Sequence, residues 1–316
     1  MAEDPRLIAL DWGSTRLRGW LLGEAGGVLA ERSSDAGASL LGGGPAAFEA
    51  ALLALAGDWL VQAPPALPLL ACGMVGSAHG WREAAYVPCP ADLDTLHAAC
   101  ASLALAGGRS LRIVPGLIDT PPGGTPDVMR GEETQLVGLL ALQPALAAAS
   151  TVLMPGTHSK WVDLRQGRVS GFRTRMTGEV YAVLRQHSVL GRLMPAADDT
   201  PAWHAAAFDA GLDAARNGQG RDLAGQLFAV RTLGLTGRWP AAALPDYLSG
   251  LLIGHELVAA LRPAAPPLAL IGEPLLCRRY RHALQSFGVE PAVVLGNTAV
   301  AGLWQIAQTA FDPTPP

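Results

Sequence analysis

Two stretches of the chain follow one plan, and together they limit the folds open to it. "LIALDWGSTRLRGWLL" at 7–22 is an apolar run that stops at Asp11, breaks at Gly13, Ser14 and Thr15, and resumes through Arg16, Arg18 and Trp20 before a turn at Gly26-Gly27. "TVLMPGTHSKWVDLRQGRVSGFRT" at 151–174 breaks at Pro155-Gly156-Thr157, resumes through Lys160 and Trp161, and turns again at Gln166-Gly167. Each reads as strand, turn, strand, turn, strand. A repeat at so long a period predicts two similar domains. The competing explanation is chance likeness of two glycine hairpins, since the matched residues are few.

The segments between the repeats alternate in type. Residues 45–62 place Phe48, Leu52, Leu55 and Trp59 at helical spacing, and "LPLLACGMVGS" reads as a buried strand ending in a glycine loop. A helix is expected over 92–106, a strand at "LRIVPGL", and a helix at "GEETQLVGLLALQ" whose first turn carries Glu132 and Glu133. Beyond the second repeat, helices are expected at 202–215, 222–231, "DYLSGLLIGHELVAAL" and 276–287. Strands are expected at "LALIGEP" and "PAVVL", followed by a final helix and a frayed tail "DPTPP". Strands alternating with helices predict an α/β layer fold. With 316 residues there is room for two domains, and the alanine-rich stretch near Ser150 is the expected boundary.

Several function classes lose ground at once. A formal net charge of −4 offers no basic field for nucleic acid. The acidic start "MAEDPR" lacks the basic region of a secretory signal, and the apolar stretches are interrupted below membrane-spanning length. No membrane partner is expected. Cys72, Cys89, Cys100 and Cys277 have neither zinc-site spacing nor disulfide density, which fits a reducing cytoplasm. A phosphate-binding G-x-x-x-x-G-K-[ST] is absent, no G-x-G-x-x-G follows the first strand, His255-Glu256 has no second His, and no G-x-S-x-G occurs.

The positive signal lies in the two turns. Glycine turns with hydroxyls can offer backbone N–H groups to phosphate oxygens, and an Asp at a strand end can hold Mg²⁺ directly or through water. Asp11, Ser14 and Thr15 form one such group; Gly156, Thr157, His158 and Lys160 form the other. The plainer alternative is that these side chains only satisfy hairpin backbone groups. Their duplicated setting favours the phosphate reading.

"DWGSTRLRGWL", "GMVGSAHGW", "PGL", "MRGEETQLVG", "MPGTHSKWV", "FRTRMTGE" and "SGLLIGHE", in this order over residues 7 to about 305, resemble the 2-dehydro-3-deoxygalactonokinase family. That family belongs to the superfamily of sugar kinases, hexokinase, heat-shock chaperones and actin. The resemblance implies two ribonuclease-H-like (actin-like ATPase) domains with a nucleotide cleft between them. It places an N-terminal domain at 1–148, with the first phosphate turn and the sugar acid site, and a C-terminal domain at 149–316, with the second turn and the adenosine site. The last helix is free to pack back on the first domain. The implied reaction moves the γ-phosphoryl group of ATP, with Mg²⁺, to the 6-hydroxyl of 2-dehydro-3-deoxy-D-galactonate.

Carried over by position, Gly13, Ser14, Thr15 and Arg16 belong to the first phosphate turn, Gly156, Thr157, His158 and Lys160 to the second, and Gly272 of "IGEPLLCRRY" to the adenosine site. Arg16 stands where relatives often carry Asn, Ser159 where Cys is common, and Asn297 where Asp often follows Gly; the last leaves a polar role for that turn in doubt. Phosphoryl transfer needs alignment, charge neutralisation and one carboxylate to accept a proton. Glu132 is the first candidate for that base, Glu133 the second and Asp163 a weaker rival, with Asp11 as the metal-side acid. The acids at 132 and 133 could instead complement the helix dipole. A substrate carboxylate calls for Arg18, Arg130, Arg173 or Arg175. His79 and Trp81 are candidates to wall the sugar, and Cys72 reads as core. A kinase for another 2-keto-3-deoxy sugar acid, an exopolyphosphatase-like hydrolase and a non-catalytic sugar sensor remain as alternatives; the sensor lacks a DNA-reading element.

Overall fold

In a computed structural model, which describes residues 4–64, 66–196, 203–218, 222–262 and 266–311, the opening apolar run forms β1 (Leu7–Trp12). β2 (Leu17–Leu22) pairs antiparallel with β1, and β3 (Val28–Ser34) antiparallel with β2. Pro45, whose missing N–H costs nothing in a first helical turn, opens α1 (Pro45–Gln62), which buries Phe48, Leu52, Leu55 and Trp59 as their spacing predicts. β4 (Leu69–Gly73) then lies parallel to β1.

The next segment departs from expectation. The helix expected over 92–106 is only α2 (Leu93–Ala98), capped by Asp92 and Thr95 in a reciprocal pair of hydrogen bonds. It follows the short β5 (Val87–Pro88) and gives way to β6 (Ala101–Ala104), antiparallel to β7 (Ser110–Ile113). Pairing with a neighbouring strand overrides the helix preference of Ala and Leu here. β8 (Leu117–Asp119) and β9 (Asp127–Met129) join β5 in a small sheet, and α3 (Glu132–Leu142) follows.

The second repeat gives β10 (Ala149–Met154), β11 (Ser159–Arg165) and β12 (Arg168–Arg175). α4 (Thr177–His187), which the sequence reading did not anticipate, α5 (Ala205–Arg216), α6 (Leu223–Leu235) and α7 (Leu244–Ala260) come next. β13 (Leu268–Ile271), α8 (Pro274–Ser286), β14 (Val293–Leu295) and α9 (Ala299–Phe311) complete the chain. Residue 202, where one helix was expected to start, and the tail at 312–316 lie outside the described residues.

The large sheets have matching order: β3-β2-β1-β4-β7-β6 in the first, β12-β11-β10-β13-β14 in the second. Each has its meander on one side and two parallel pairings beyond it, β1-β4-β7 and β10-β13-β14, with the antiparallel β6 added only to the first, so the repeat seen in the sequence is a repeat of topology. The fold is α/β, with two ribonuclease-H-like units. Contacts divide the chain into unit 1 (Met1–Ser150, Asp163–Phe172 and Asn297–Pro316) and unit 2 (Thr151–Val162 and Arg173–Gly296).

In unit 1, β1 is buried on both faces. Ile8, Leu10 and Trp12 share a core with Phe48, Leu52 and Trp59 of α1; Leu7 and Ala9 share another with Leu303 and Ile306 of α9. At about 1.5–3 kcal/mol for each large apolar side chain, this double burial is what holds the strand end in place. In unit 2, α7 plays the central part: Ile253 and Leu257 pack with Leu153, Leu270 and Tyr280, while Tyr247, Leu248 and Leu251 pack with Ala207 and Val230.

Candidate active site

In unit 1 the site is built at the end of β1. The β1–β2 register sets Asp11 opposite Arg18, and Arg18 Nη2 donates to Asp11 Oδ2 at 2.6 Å. Asn297 Nδ2 donates to the same oxygen at 3.3 Å, while its own Oδ1 accepts from the Ala299 amide at 2.7 Å at the start of α9. The other Asp11 oxygen is approached by the Cys72 thiol at 3.9 Å, which burial, with the charges of Asp11 and Glu133, keeps well above the usual thiol range. The turn beyond Asp11 closes through Gly13 N to Arg16 O at 2.9 Å, and the amides of Ala38 and Ser39 take the carbonyls of Gly13 and Ser14. Ser14, Thr15 and Arg16 are exposed, with Arg16 Nε 3.7 Å from Asp35.

The acidic loop reaches the same strand ends. Gly131 has φ +106°, and a Cβ built there would lie 3.4 Å from Gly73 Cα at the end of β4, so a glycine fits both the backbone and the space. Glu132 Oε2 accepts the Arg130 amide at 3.0 Å and remains half-buried. Glu133 is fully buried, bound by the Gly131 amide at 2.7 Å and the Thr134 hydroxyl at 3.0 Å. Burial, with the Glu132 charge beside it, pushes the Glu133 carboxyl up to about 8.

The sugar-site candidates of unit 1 differ in their surroundings. The Arg130 guanidinium lies 4.4 Å over the Tyr86 ring and donates to Ala84 O at 2.8 Å, with Nε and Nη1 closed off from solvent. Arg130 thus staples the 74–86 loop to the acidic loop. Trp81 packs against Phe48 and Trp12 at centroid distances of 6.0 and 5.9 Å, and His79 is exposed. Asp163 lies on β11, where Ser170 Oγ donates to its carbonyl at 2.8 Å.

In unit 2, Gly156 and Thr157 form one wall of a cavity of about 350 Å³, closed by Thr177 and Gly178 of α4, Ser249 and Leu252 of α7, and Leu276 and Arg279 of α8. Its apolar floor with a few polar groups suits a flat heterocycle carrying an anionic tail. Arg279 is fixed by Asp246, 2.6 Å away, which also accepts the His204 amide at 2.7 Å. His158 pairs with Glu179. Lys160 is buried and donates to Thr174 Oγ1 at 2.7 Å. Gly272 packs against Pro155 O and Cys277 Sγ, and its amide binds Leu295 O at 3.1 Å; α8 supplies the cavity lining instead. Arg173 is exposed and Arg175 half-buried, both on β12.

Two features have partners that no sequence signal names. Asn297 reaches Asp11 across 286 positions of chain. Glu256, on α7, is buried with hydrogen bonds from Trp161, Thr177 and Tyr280. The ending of "SGLLIGHE" marked its place but not its partners. No group of three or more His, Cys, Asp or Glu able to hold a metal occurs among the described residues.

Twin sheets of this order, each with a glycine turn after its first strand, define a protein of the actin-like ATPase fold class that includes sugar kinases. A profile of the 2-keto-3-deoxy-galactonokinase family matches residues 11–306. The chain is 38% identical over 312 residues to the 2-dehydro-3-deoxygalactonokinase of Escherichia coli (strain K12), covering 97% of this chain and 99% of that one. It is 41% identical over 310 residues to a protein of Rhizobium meliloti (strain 1021) named for the same activity, covering 96% and 97%. A crystal structure of a Sinorhizobium meliloti protein, also named for it, superposes with a TM-score of 0.83 at 37% identity, covering 97% of this chain and 99% of that one. The chain belongs to the 2-keto-3-deoxy-galactonokinase family.

Proposed function

We propose that this protein transfers the γ-phosphoryl group of ATP to the 6-hydroxyl of 2-dehydro-3-deoxy-D-galactonate, a step of galactonate breakdown. The observation that carries the reading is the family match from 11 to 306, which takes in both glycine turns and the acidic loop within one continuous likeness. Unit 2 supplies the nucleotide: the base occupies the cavity between α4, α7 and α8, and the Gly156-Thr157 turn, with His158, faces the phosphates. Lys160 would serve there only after leaving Thr174. Unit 1 supplies the base and the acceptor.

Glu132 is the general base of this reading. It is half-buried at the start of α3 and so keeps access to a ligand, whereas Glu133 is fully buried and bound to the Gly131 amide and the Thr134 hydroxyl. The acceptor hydroxyl gives its proton to Glu132 as its oxygen bonds to phosphorus and the bond to the ADP oxygen breaks. Mg²⁺ in kinases keeps several waters and the nucleotide phosphates as ligands and takes only one or two protein carboxylates. Asp11 fits that demand through Oδ1, which meets the weak Cys72 thiol donor, whereas Oδ2 is committed to Arg18 and Asn297. When bound there, the ion would neutralise phosphate charge. For the substrate carboxylate, Arg18 of unit 1, with a partly exposed guanidinium, is a better candidate than Arg130, whose Nη2 is held by Ala84 O and whose Nε and Nη1 are buried.

A cytoplasmic setting goes with this reading: all four cysteines are free, and no helix among the described residues is long and apolar enough to cross a membrane. The test is ADP release in the presence of the sugar acid. Turnover that follows the sugar acid supports the reading; phosphate release at the same rate without an acceptor would replace it with hydrolysis.

A further inference from the structure

We propose that Glu256 is a positioning residue for the nucleotide cavity of unit 2, holding the second phosphate turn through Thr177; the proposal rests on the reading of that cavity as the nucleotide site. Glu256 is 4% exposed, and so a carboxylate in this place must be met by donors from the protein. Three are present. Trp161 Nε1 of β11 donates to Oε1 at 2.8 Å, while Tyr280 OH of α8, at 2.7 Å, and Thr177 Oγ1 of α4 both donate to Oε2. Ser159 Oγ stands 3.1 Å from Tyr280 OH, which gives its own proton to Glu256, so the serine donates to the tyrosine. One carboxylate on α7 thereby ties together β11, α4 and α8.

Thr177 is the link that matters for ligand binding. The residue after it, Gly178, lies so close to the phosphate turn that a Cβ there would stand 2.3 Å from Gly156 O and 2.8 Å from Thr157 Cα. The next residue, Glu179, donates its amide to Thr157 O at 2.9 Å and pairs with His158. Whatever fixes the first turn of α4 therefore fixes the Gly156-Thr157-His158 turn. Glu256 does this from behind the cavity: Thr177 and Tyr280 line it, and Glu256 does not. Ser159 extends the same hold to the residue where β11 begins.

Calorimetric titration with ADP tests this on wild type, Glu256→Gln, Thr177→Val and Thr177→Ser. Loss of one hydrogen bond to a charged group corresponds to about tenfold in a binding constant. The proposal expects Glu256→Gln and Thr177→Val each to weaken ADP by about that factor. Thr177→Ser, which keeps the hydroxyl, stays within about twofold of wild type, and the KM for the sugar acid does not change in any of them. A merely structural role for the network would lower thermal stability and leave ADP affinity as it was. If Glu256→Gln does not fold, Thr177→Val, at a half-buried helix start, carries the comparison with its serine partner. Wild-type protein that takes up no ADP overturns the nucleotide reading and this proposal with it. Wild-type binding with unchanged affinity in Thr177→Val and Glu256→Gln, or equal loss in Thr177→Ser and Thr177→Val, overturns the proposal alone.

Discussion

Arg18 Nη2 lies 2.6 Å from Asp11 Oδ2, so the carboxylate that ends β1 is held from across the first hairpin. Both side chains keep some exposure, 38% for Arg18 and 15% for Asp11, and a pair of this kind contributes at most about 1 kcal/mol to stability. Its value is directional, since it commits Oδ2 to Arg18 and Asn297 and leaves Oδ1 with the weak Cys72 thiol donor. Asp11→Ala is expected to abolish transfer. Arg18→Gln should lower kcat by roughly 10–100-fold with a small change in melting temperature. Steady-state kinetics beside a thermal melt separate these; a large melting shift with normal kcat would make the pair structural.

Asn297 performs two tasks that one substitution can separate. Its Oδ1 closes a turn onto the Ala299 amide, and its Nδ2 reaches Asp11. Serine can make the turn but is too short to reach Asp11. Asn297→Ser is therefore expected to keep the wild-type melting temperature and lose about threefold to tenfold in kcat, read from initial rates at saturating substrates.

The two neighbouring acids at the start of α3 should behave oppositely. Glu132→Gln is expected to lower kcat by about 10²–10⁴-fold while ADP affinity in a titration stays unchanged. Glu133→Gln resembles the protonated acid already present and should leave kcat near wild type. Its signature is in stability. The Glu133 carboxyl is raised from its ordinary value of 4.5 to about 8 in the folded protein. Between those values the folded chain holds a proton that the unfolded chain has released, so this group's contribution is full below about 4.5 and fades as pH rises through about 8. Urea denaturation at pH 5 and pH 8 should show a smaller loss for Glu133→Gln than for wild type.

Trp81 is packed where a sugar wall was expected. Its ring joins Phe48 and Trp12 in one aromatic cluster over α1. Trp81→Ala is expected to cost about 2–4 kcal/mol of stability and to change the KM for the sugar acid less than about twofold. Chemical denaturation together with substrate titration distinguishes packing from contact; a tenfold rise in KM in a stable variant would restore the wall.

Leu276 lines the unit 2 cavity from the first turn of α8 and is half-buried, so a larger side chain there fills the space without opening the core. Leu276→Trp should raise the KM for ATP by about tenfold or more and leave that for the sugar acid alone.

Much of this was legible from local pattern. The apolar runs before Asp11 and before Pro155, and the spacing of Phe48, Leu52, Leu55 and Trp59, are signals within a few residues, and they return as β1, β10 and α1. The 92–106 segment misled because Ala and Leu favour helix while β6 is specified by β7, which lies beyond Gly107-Gly108. α4 is hard to read locally because its span is short and half polar, and its apolar residues Val180, Tyr181 and Leu184 are only partly buried against the α7 core. At the site, residue types were readable and partners were not. Nothing near Glu256 in sequence names Thr177, Trp161 or Tyr280, and Asn297 finds Asp11 only once α9 has folded onto unit 1.

The central claim is tested most directly by ADP release from ATP, coupled to NADH oxidation, with and without 2-dehydro-3-deoxy-D-galactonate. The account predicts saturable turnover that depends on the sugar acid and disappears in Asp11→Ala. No turnover with that acid or with related 2-keto-3-deoxy acids, or equal turnover without any acceptor, would contradict it.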